Sequence, residues 1–332
     1  MRSLLMEGSA RIRIVEVADP TPQPGEVVIE TAVSAICGSE MHGYRGQGQD
    51  TGNSGHEAVG TIESLGEGVE GLQVGQRVGV SAVVGCGHCD YCAKGQYTWC
   101  PNFTGYGSMH AERFRMAARG CHLLAEDVPW DAGVLLTGDG FGVPYHTSTK
   151  ILSPEIKTVA VFGVGPIGLG SVLMQAYRGR RVIAVDVSNY RLEMAKRLGA
   201  SETVSPDGGE TVQQIRALTD GAGADICIEA AGRPETALAC FAAVRTAGTV
   251  VFNGEQPALP ISPSEQFIRR DITAVGSWFY HFCEFQPMLD LYRKGLQVTD
   301  LISHRYPFDQ ADAAFAEFAA GRTGKVLLEY GA

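Results

Sequence analysis

A glycine-rich turn between a strand and a helix constrains this chain most. Thr158–Phe162 (TVAVF) has the continuous apolar character of a strand buried on both faces, and Leu169–Tyr177 has helical spacing. Between them Gly163, Gly165 and Gly168 form G-x-G-x-x-G, with Ile167 just before the third glycine. The pattern by itself is common in tight turns. Placed after a strand and at the start of a helix, it suits a pyrophosphate: small residues let the backbone come close, and a helix N-terminus favours negative charge.

The same alternation continues downstream. Arg181–Val185, Ala224–Glu229, Thr249–Phe252 and Ile272–Val275 read as strands; Tyr190–Leu198, Thr211–Leu218 and Pro234–Val244 read as helices. Strands and helices of these lengths predict a doubly wound parallel sheet. Asp186 closes the second strand, where an acid accepts the ribose hydroxyls of NAD and repels the extra phosphate of NADP. Arg191 either packs over the adenosine ribose or lies solvated on its helix.

At 332 residues the chain exceeds the usual size of one core, so two domains are expected. The N-terminal part alternates as β-structure at Arg11–Val17, Val27–Val33, Val59–Leu65 and Val78–Val84, and is expected to remain mostly β to about Tyr145. After the parallel sheet come a helix over Phe285–Tyr292, another from about Asp309, and a strand at Lys325–Glu329. The expected boundaries divide the chain into 1–145, 146–280 with the parallel sheet, and 281–332.

Cys86, Cys89, Cys92 and Cys100 are spaced C-x2-C-x2-C-x7-C within a tract that lacks periodicity. Four thiolates so close suit a closed, tetrahedral, structural zinc site. An iron–sulfur cluster is the chemical alternative, disfavoured by the fourth spacing and the lack of a second cysteine set. His88 is read as solvated or bonded to the loop, and Cys121, Cys227, Cys240 and Cys283 as small apolar fillers. The start carries no secretory pattern, no apolar run is long enough for a membrane span, and the cysteine count is odd, which points to a reducing, cytoplasmic setting. A net charge of −10 without a basic block argues against a nucleic-acid partner.

Cys37 (in CGSEMH), His56 (in GHEAVG) and Asp139 (in LLTGDGFGVPYH) could individually be a buried thiol, a core histidine and a turn residue, and spacing does not join them. With the glycine motif and the cysteine lobe in this order, however, the chain resembles the zinc-dependent branch of the medium-chain dehydrogenase/reductase superfamily over its whole length. The resemblance implies an α/β protein with a GroES-like β-rich catalytic domain over 1–145, completed by the C-terminal segment 281–332, and an NAD-binding Rossmann doubly wound domain over 146–280. It implies two zinc ions per chain and NAD(H). Cys37, His56 and Asp139 would hold the catalytic zinc, with charges that balance it and a fourth position open for an alcohol oxygen. Ser39 and His42 would relay the substrate proton, and Glu57 would support the metal from beside it or visit it during ligand exchange.

Two residues depart from the family pattern. Glu40 stands where Asp is frequent, and His110 stands where smaller residues are usual. Tyr44, Ala82 and Trp278–Tyr280 could line the substrate side or could pack in the core. The expected reaction is oxidation of a secondary alcohol, polyol, cyclitol or amino alcohol to the ketone, in a homo-oligomer that is a dimer or tetramer. The alternatives are a carbonyl reductase of the same family and a nucleotide-binding protein without catalysis.

Overall fold

The computed structural model describes residues 1–206 and 210–331. Two compact units emerge: one of Met1–Gly142 with Phe279–Ala332, the other of Val143–Trp278.

The second unit holds a six-stranded, wholly parallel sheet. Across it the strands run Glu202–Val204, Arg181–Val185, Thr158–Phe162, Ala224–Glu229, Val244–Phe252 and Thr273–Gly276. Numbered along the chain this is third, second, first, fourth, fifth, sixth, the order of a dinucleotide-binding sheet. The order reverses between Thr158–Phe162 and Ala224–Glu229, and such switch points open a crevice at the strand ends. Strand residues Ala160, Phe162, Ile183, Val185, Cys227 and Val250 share one buried cluster with Cys240 and Phe241 from a covering helix. Each large side chain withdrawn from water there contributes roughly 1.5–3 kcal/mol.

The first unit is built on a seven-stranded sheet. Its long central strand, Glu26–Ile36, pairs antiparallel with Ala58–Leu65, Arg113–Ala117 and the C-terminal strand Lys325–Glu329. The last pairing explains why the end of the chain belongs to the first unit. Val83–Val84 pairs with Thr104–Gly105 and so closes the base of the cysteine lobe.

Several expectations change. Val78–Val84 is two strands, Arg77–Val80 and Val83–Val84, because Ser81 turns away to donate its N–H to Gly120 O and its hydroxyl to Val83 O. The tract before Tyr145 is not all β: Trp130–Thr137 and Asp139–Lys150 are helices. Ala132–Thr137 are all buried, so the first of these helices has no amphipathic period to read, and Gly138, Gly140 and Pro144 disguise the second. Strands Arg2–Gly8 and Ile302–Pro307 also lay outside the expectation; the latter interrupts its apolar residues with His304 and Arg305. Cys121, Cys227 and Cys240 are buried fillers, but Cys283 is exposed. No helix among the described residues is long and apolar enough to cross a membrane.

Candidate functional site

The first unit brings Cys37, His56, Glu57 and Asp139 together, with one ligand atom from each within 4.8 Å of all the others. Sheet register does most of this. Cys37 follows the central strand at Ile36, and Val326 pairs with Ile36, so Lys325 arrives level with Cys37. Ser34 pairs with Ala58, which sets His56 and Glu57 beside the same strand end. Asp139 begins the helix that follows the extended residue Gly138.

Cys37 Sγ lies 3.5 Å from Asp139 Oδ2, and His56 Nε2 lies 3.2 Å from the same oxygen. Tetrahedral zinc with ordinary bond lengths separates sulfur from oxygen by about 3.5 Å and nitrogen from oxygen by about 3.3 Å. These two edges therefore match those of a tetrahedral zinc site. His56 Nδ1 sits 2.9 Å from Ser54 O, which turns Nε2 toward the site, as metal-binding histidines require. Asp139 Oδ1 is buried without a hydrogen-bond partner, and an acceptor left in that state calls for a cation or donor. The electrostatics agree. Burial opposes charge on His56, yet Cys37 and Asp139 outweigh it and raise its pKa well above the ordinary value. Burial, then Asp139, pushes the Cys37 thiol up. A thiol, an imidazole and a carboxylate gathered around a partnerless buried oxygen are a donor set that fits zinc.

Lys325 was not found from the sequence. Its ammonium forms an ion pair with Glu57 Oε1, and both side chains are buried. The other Glu57 oxygen accepts the Gly140 N–H at 3.1 Å. Glycine is required nearby: a Cβ on Gly138 would lie 2.6 Å from Glu57 Oε2. The only sequence signal for Lys325 was a cation placed directly before the apolar run Val326–Leu328 of its strand, KVLLE. With Lys325 neutralising Glu57, the thiolate and carboxylate of Cys37 and Asp139 still balance a divalent ion.

Ser39 and His42 are exposed on the short helices Gly38–Glu40 and Met41–Arg45, which follow Cys37 directly in the chain. Glu40 is buried, and its Oε1 accepts the Cys37 N–H at 2.8 Å. Burial would raise the Glu40 carboxyl, but the facing His110 outweighs it and holds it below its ordinary range. Tyr44 packs against Phe315 in the core, and Tyr280 is fully buried with its hydroxyl donating to Thr137 O. These two side chains serve packing. Ala82 is buried and Trp278 exposed.

In the cysteine lobe the four sulfurs also cluster within 4.8 Å. The Cys86–Cys92 and Cys89–Cys92 separations, 3.9 and 3.5 Å, bracket the edge of about 3.8 Å in a tetrahedral zinc–thiolate site. The His88 main-chain N–H helps draw the Cys86 thiol down to about 6, while burial pushes Cys92 up to about 11. The His88 ring is exposed, its Nδ1 3.1 Å from Cys86 O.

In the second unit Gly163 has φ +83°, and a Cβ on Gly168 would stand 1.9 Å from Gly163 O. The turn therefore demands glycine at both places. Asp186 Oδ2 accepts the Val164 N–H, and Oδ1 that of Ser188, each at 2.8 Å, so the acid braces the glycine turn. Arg191 Nη1 would lie 3.7 Å from a Cβ on Gly165, which directs the guanidinium toward the turn.

Comparison with known proteins follows this division. Residues 23–126 match the alcohol dehydrogenase GroES-like domain, and residues 166–294 match the zinc-binding dehydrogenase family. The L-threonine 3-dehydrogenase of Pyrococcus horikoshii is 32% identical over 331 residues, 95% of this chain and 94% of that protein. The sorbitol dehydrogenase of Halalkalibacterium halodurans is 30% identical, covering 97% and 96%. Among solved structures, the alcohol dehydrogenase TADH from Thermus sp. ATN1 superposes with a TM-score of 0.90 at 27% identity over 100% of both chains.

Proposed function

The chain belongs to the zinc-dependent medium-chain dehydrogenase/reductase superfamily and is a zinc- and NAD-dependent dehydrogenase; from that premise we propose that it oxidises the secondary hydroxyl of a polyol, cyclitol or amino alcohol to the ketone. The observation that carries the reading is the trio Cys37, His56 and Asp139, whose two short edges, 3.5 and 3.2 Å, fit those of a tetrahedral zinc site. A fourth corner contributed by substrate is what separates a catalytic zinc from a structural one.

Zinc held there would lower the pKa of an alcohol, and NAD would accept the hydride. The protein's own groups do the rest. With a divalent ion bound, the charges of Cys37 and Asp139 would bring the site close to neutrality. Glu57, fixed by Lys325 and Gly140, supports the trio from one side. Ser39 Oγ takes the alcohol proton and His42 passes it to water, which suits their exposed positions. Gly163, Gly165, Ile167 and Gly168 admit the pyrophosphate, while Asp186 and Arg191 receive the adenosine ribose.

Threonine and sorbitol, after which two of the relatives are named, each carry a secondary hydroxyl beside another polar group. That supports a polyfunctional alcohol over a simple one. The reading includes a reducing compartment, where thiols stay available to metal. It also includes a homo-oligomer, supported by the exposed edge strand Thr273–Gly276.

Initial rates with NAD across polyols, cyclitols and amino alcohols, with the product identified, test the reading. Ketone formation from one class is expected. Rapid NADH-dependent reduction of carbonyls with no measurable alcohol oxidation would favour the reductase instead.

A further inference from the structure

The two departures noted in the sequence, Glu40 and His110, meet. His110 Nε2 lies 3.0 Å from Glu40 Oε2, and both side chains are fully buried. Seventy positions separate them in the chain. A buried carboxylate facing an imidazole is expensive to desolvate and is tolerated when every polar atom is partnered. Here they are. Glu40 Oε1 accepts the Cys37 N–H, and His110 Nδ1 lies 2.8 Å from Ser34 Oγ, which in turn lies 2.9 Å from Tyr330 OH.

The pair touches two of the three segments that carry the trio, those of Cys37 and His56. Through Glu40 it holds the backbone of Cys37. Through the His110 ring it walls in the residue before His56: a Cβ on Gly55 would stand 2.5 Å from His110 Cδ2. Asn53 Oδ1 accepts the N–H of both Gly55 and His110, each at 3.1 Å, so the two segments share one anchor. Met109 N–H also donates to Gly55 O at 3.0 Å. Phe315 closes the far side of the imidazole edge-on, with centroids 5.7 Å apart.

We propose that the Glu40–His110 pair is a positioning clamp, which fixes the Cys37 backbone and the Gly55–His56 segment against each other and so sets the geometry in which Cys37 and His56 hold zinc. Glu40 and His110 touch neither substrate nor cofactor in this assignment. It rests on the zinc reading above. The longer Glu40 side chain and the bulky His110 are complementary: an aspartate at 40 would be one methylene short of spanning from Cys37 N–H to the imidazole.

The test is the rate at which a chromogenic chelator removes zinc from the intact holoenzyme. The release phase absent from Cys37→Ser belongs to the Cys37 site, and the cysteine-lobe phase serves as internal reference. His110→Phe keeps the volume but removes the hydrogen bonds, and is expected to speed the Cys37 phase by about tenfold or more while leaving the lobe phase unchanged. Glu40→Gln keeps an acceptor for Cys37 N–H and is expected to speed it less. His110→Gln retains a donor toward Glu40 and should restore most of the wild-type rate. The double variant Glu40→Gln/His110→Phe should be little worse than His110→Phe alone, because the pair acts as a unit. Should His110→Phe fail to fold, Glu40→Gln and His110→Gln decide: a faster Cys37 phase in the first and a near wild-type phase in the second support the clamp. A two-zinc wild type whose variants release the Cys37 metal at an unchanged rate, or release both metals faster in equal measure, overturns the clamp alone. A wild type holding zinc only in the cysteine lobe overturns the zinc reading and the clamp together.

Discussion

Lys325 and Glu57, 268 positions apart, form a buried ion pair that ties the last strand of the chain to the residue following His56. The pairing of Val326 with Ile36 makes this possible, because it delivers Lys325 to the end of the strand that leads into Cys37. The C-terminal segment thus reaches the cluster of Cys37, His56, Glu57 and Asp139.

Removing the cation should expose this dependence. Lys325→Met leaves the Glu57 carboxylate buried and unpaired, and the loss of one partner from such a pair typically destabilises by about 3–5 kcal/mol. Thermal or urea unfolding should register that loss, and turnover should fall with it. The double variant Lys325→Met/Glu57→Gln should regain much of the stability but not the activity. Full stability in Lys325→Met would contradict the pairing.

Asp186 carries a second prediction. Its two oxygens hold the Val164 and Ser188 amides, and the same carboxylate is assigned to the ribose. Asp186→Ala should weaken NADH binding by roughly tenfold or more and narrow the preference for NAD over NADP. Fluorescence titration with both cofactors measures this. An unchanged preference would remove Asp186 from the cofactor site.

The uneven legibility of the chain has physical causes. Thr158–Phe162, Arg181–Val185 and Ala224–Glu229 were readable to the residue, since strands buried on both faces are continuous apolar runs between glycines and polar turns. The lobe site was readable because all four of its cysteine ligands lie within one short tract. Cys37, His56 and Asp139 were not joined by spacing; only a family resemblance suggested the trio. Lys325 and the Glu40–His110 contact depend on strand register and on pairings across the sheet, which local periodicity does not encode. Trp130–Thr137 hid its helical period by being buried nearly all round.

His122 supplies a pH prediction. Burial lowers its pKa to about 3, and its ring stacks on Phe282 and Phe285 with centroids 4.0 and 4.4 Å away. The unfolded chain protonates this histidine near pH 6.5, so between about pH 6.5 and pH 3 it binds a proton that the folded chain refuses. Above that window the group is neutral in both states and has no effect on the pH slope. Below about pH 6.5 it removes stability as pH falls, approaching about 1.4 kcal/mol per unit. His122→Phe should therefore lose less stability than wild type between pH 7 and pH 5 in urea titrations. Parallel pH profiles would show that His122 does not remain neutral in the folded chain.

The most direct test of the account is zinc content by elemental analysis after gentle purification, on wild type and on Cys37→Ser. Two zinc ions per wild-type chain are expected. Cys37→Ser should retain the lobe zinc, lose the other, still bind NADH, and show no alcohol oxidation. One zinc per wild-type chain, or full activity in Cys37→Ser, would contradict a catalytic metal held by Cys37, His56 and Asp139.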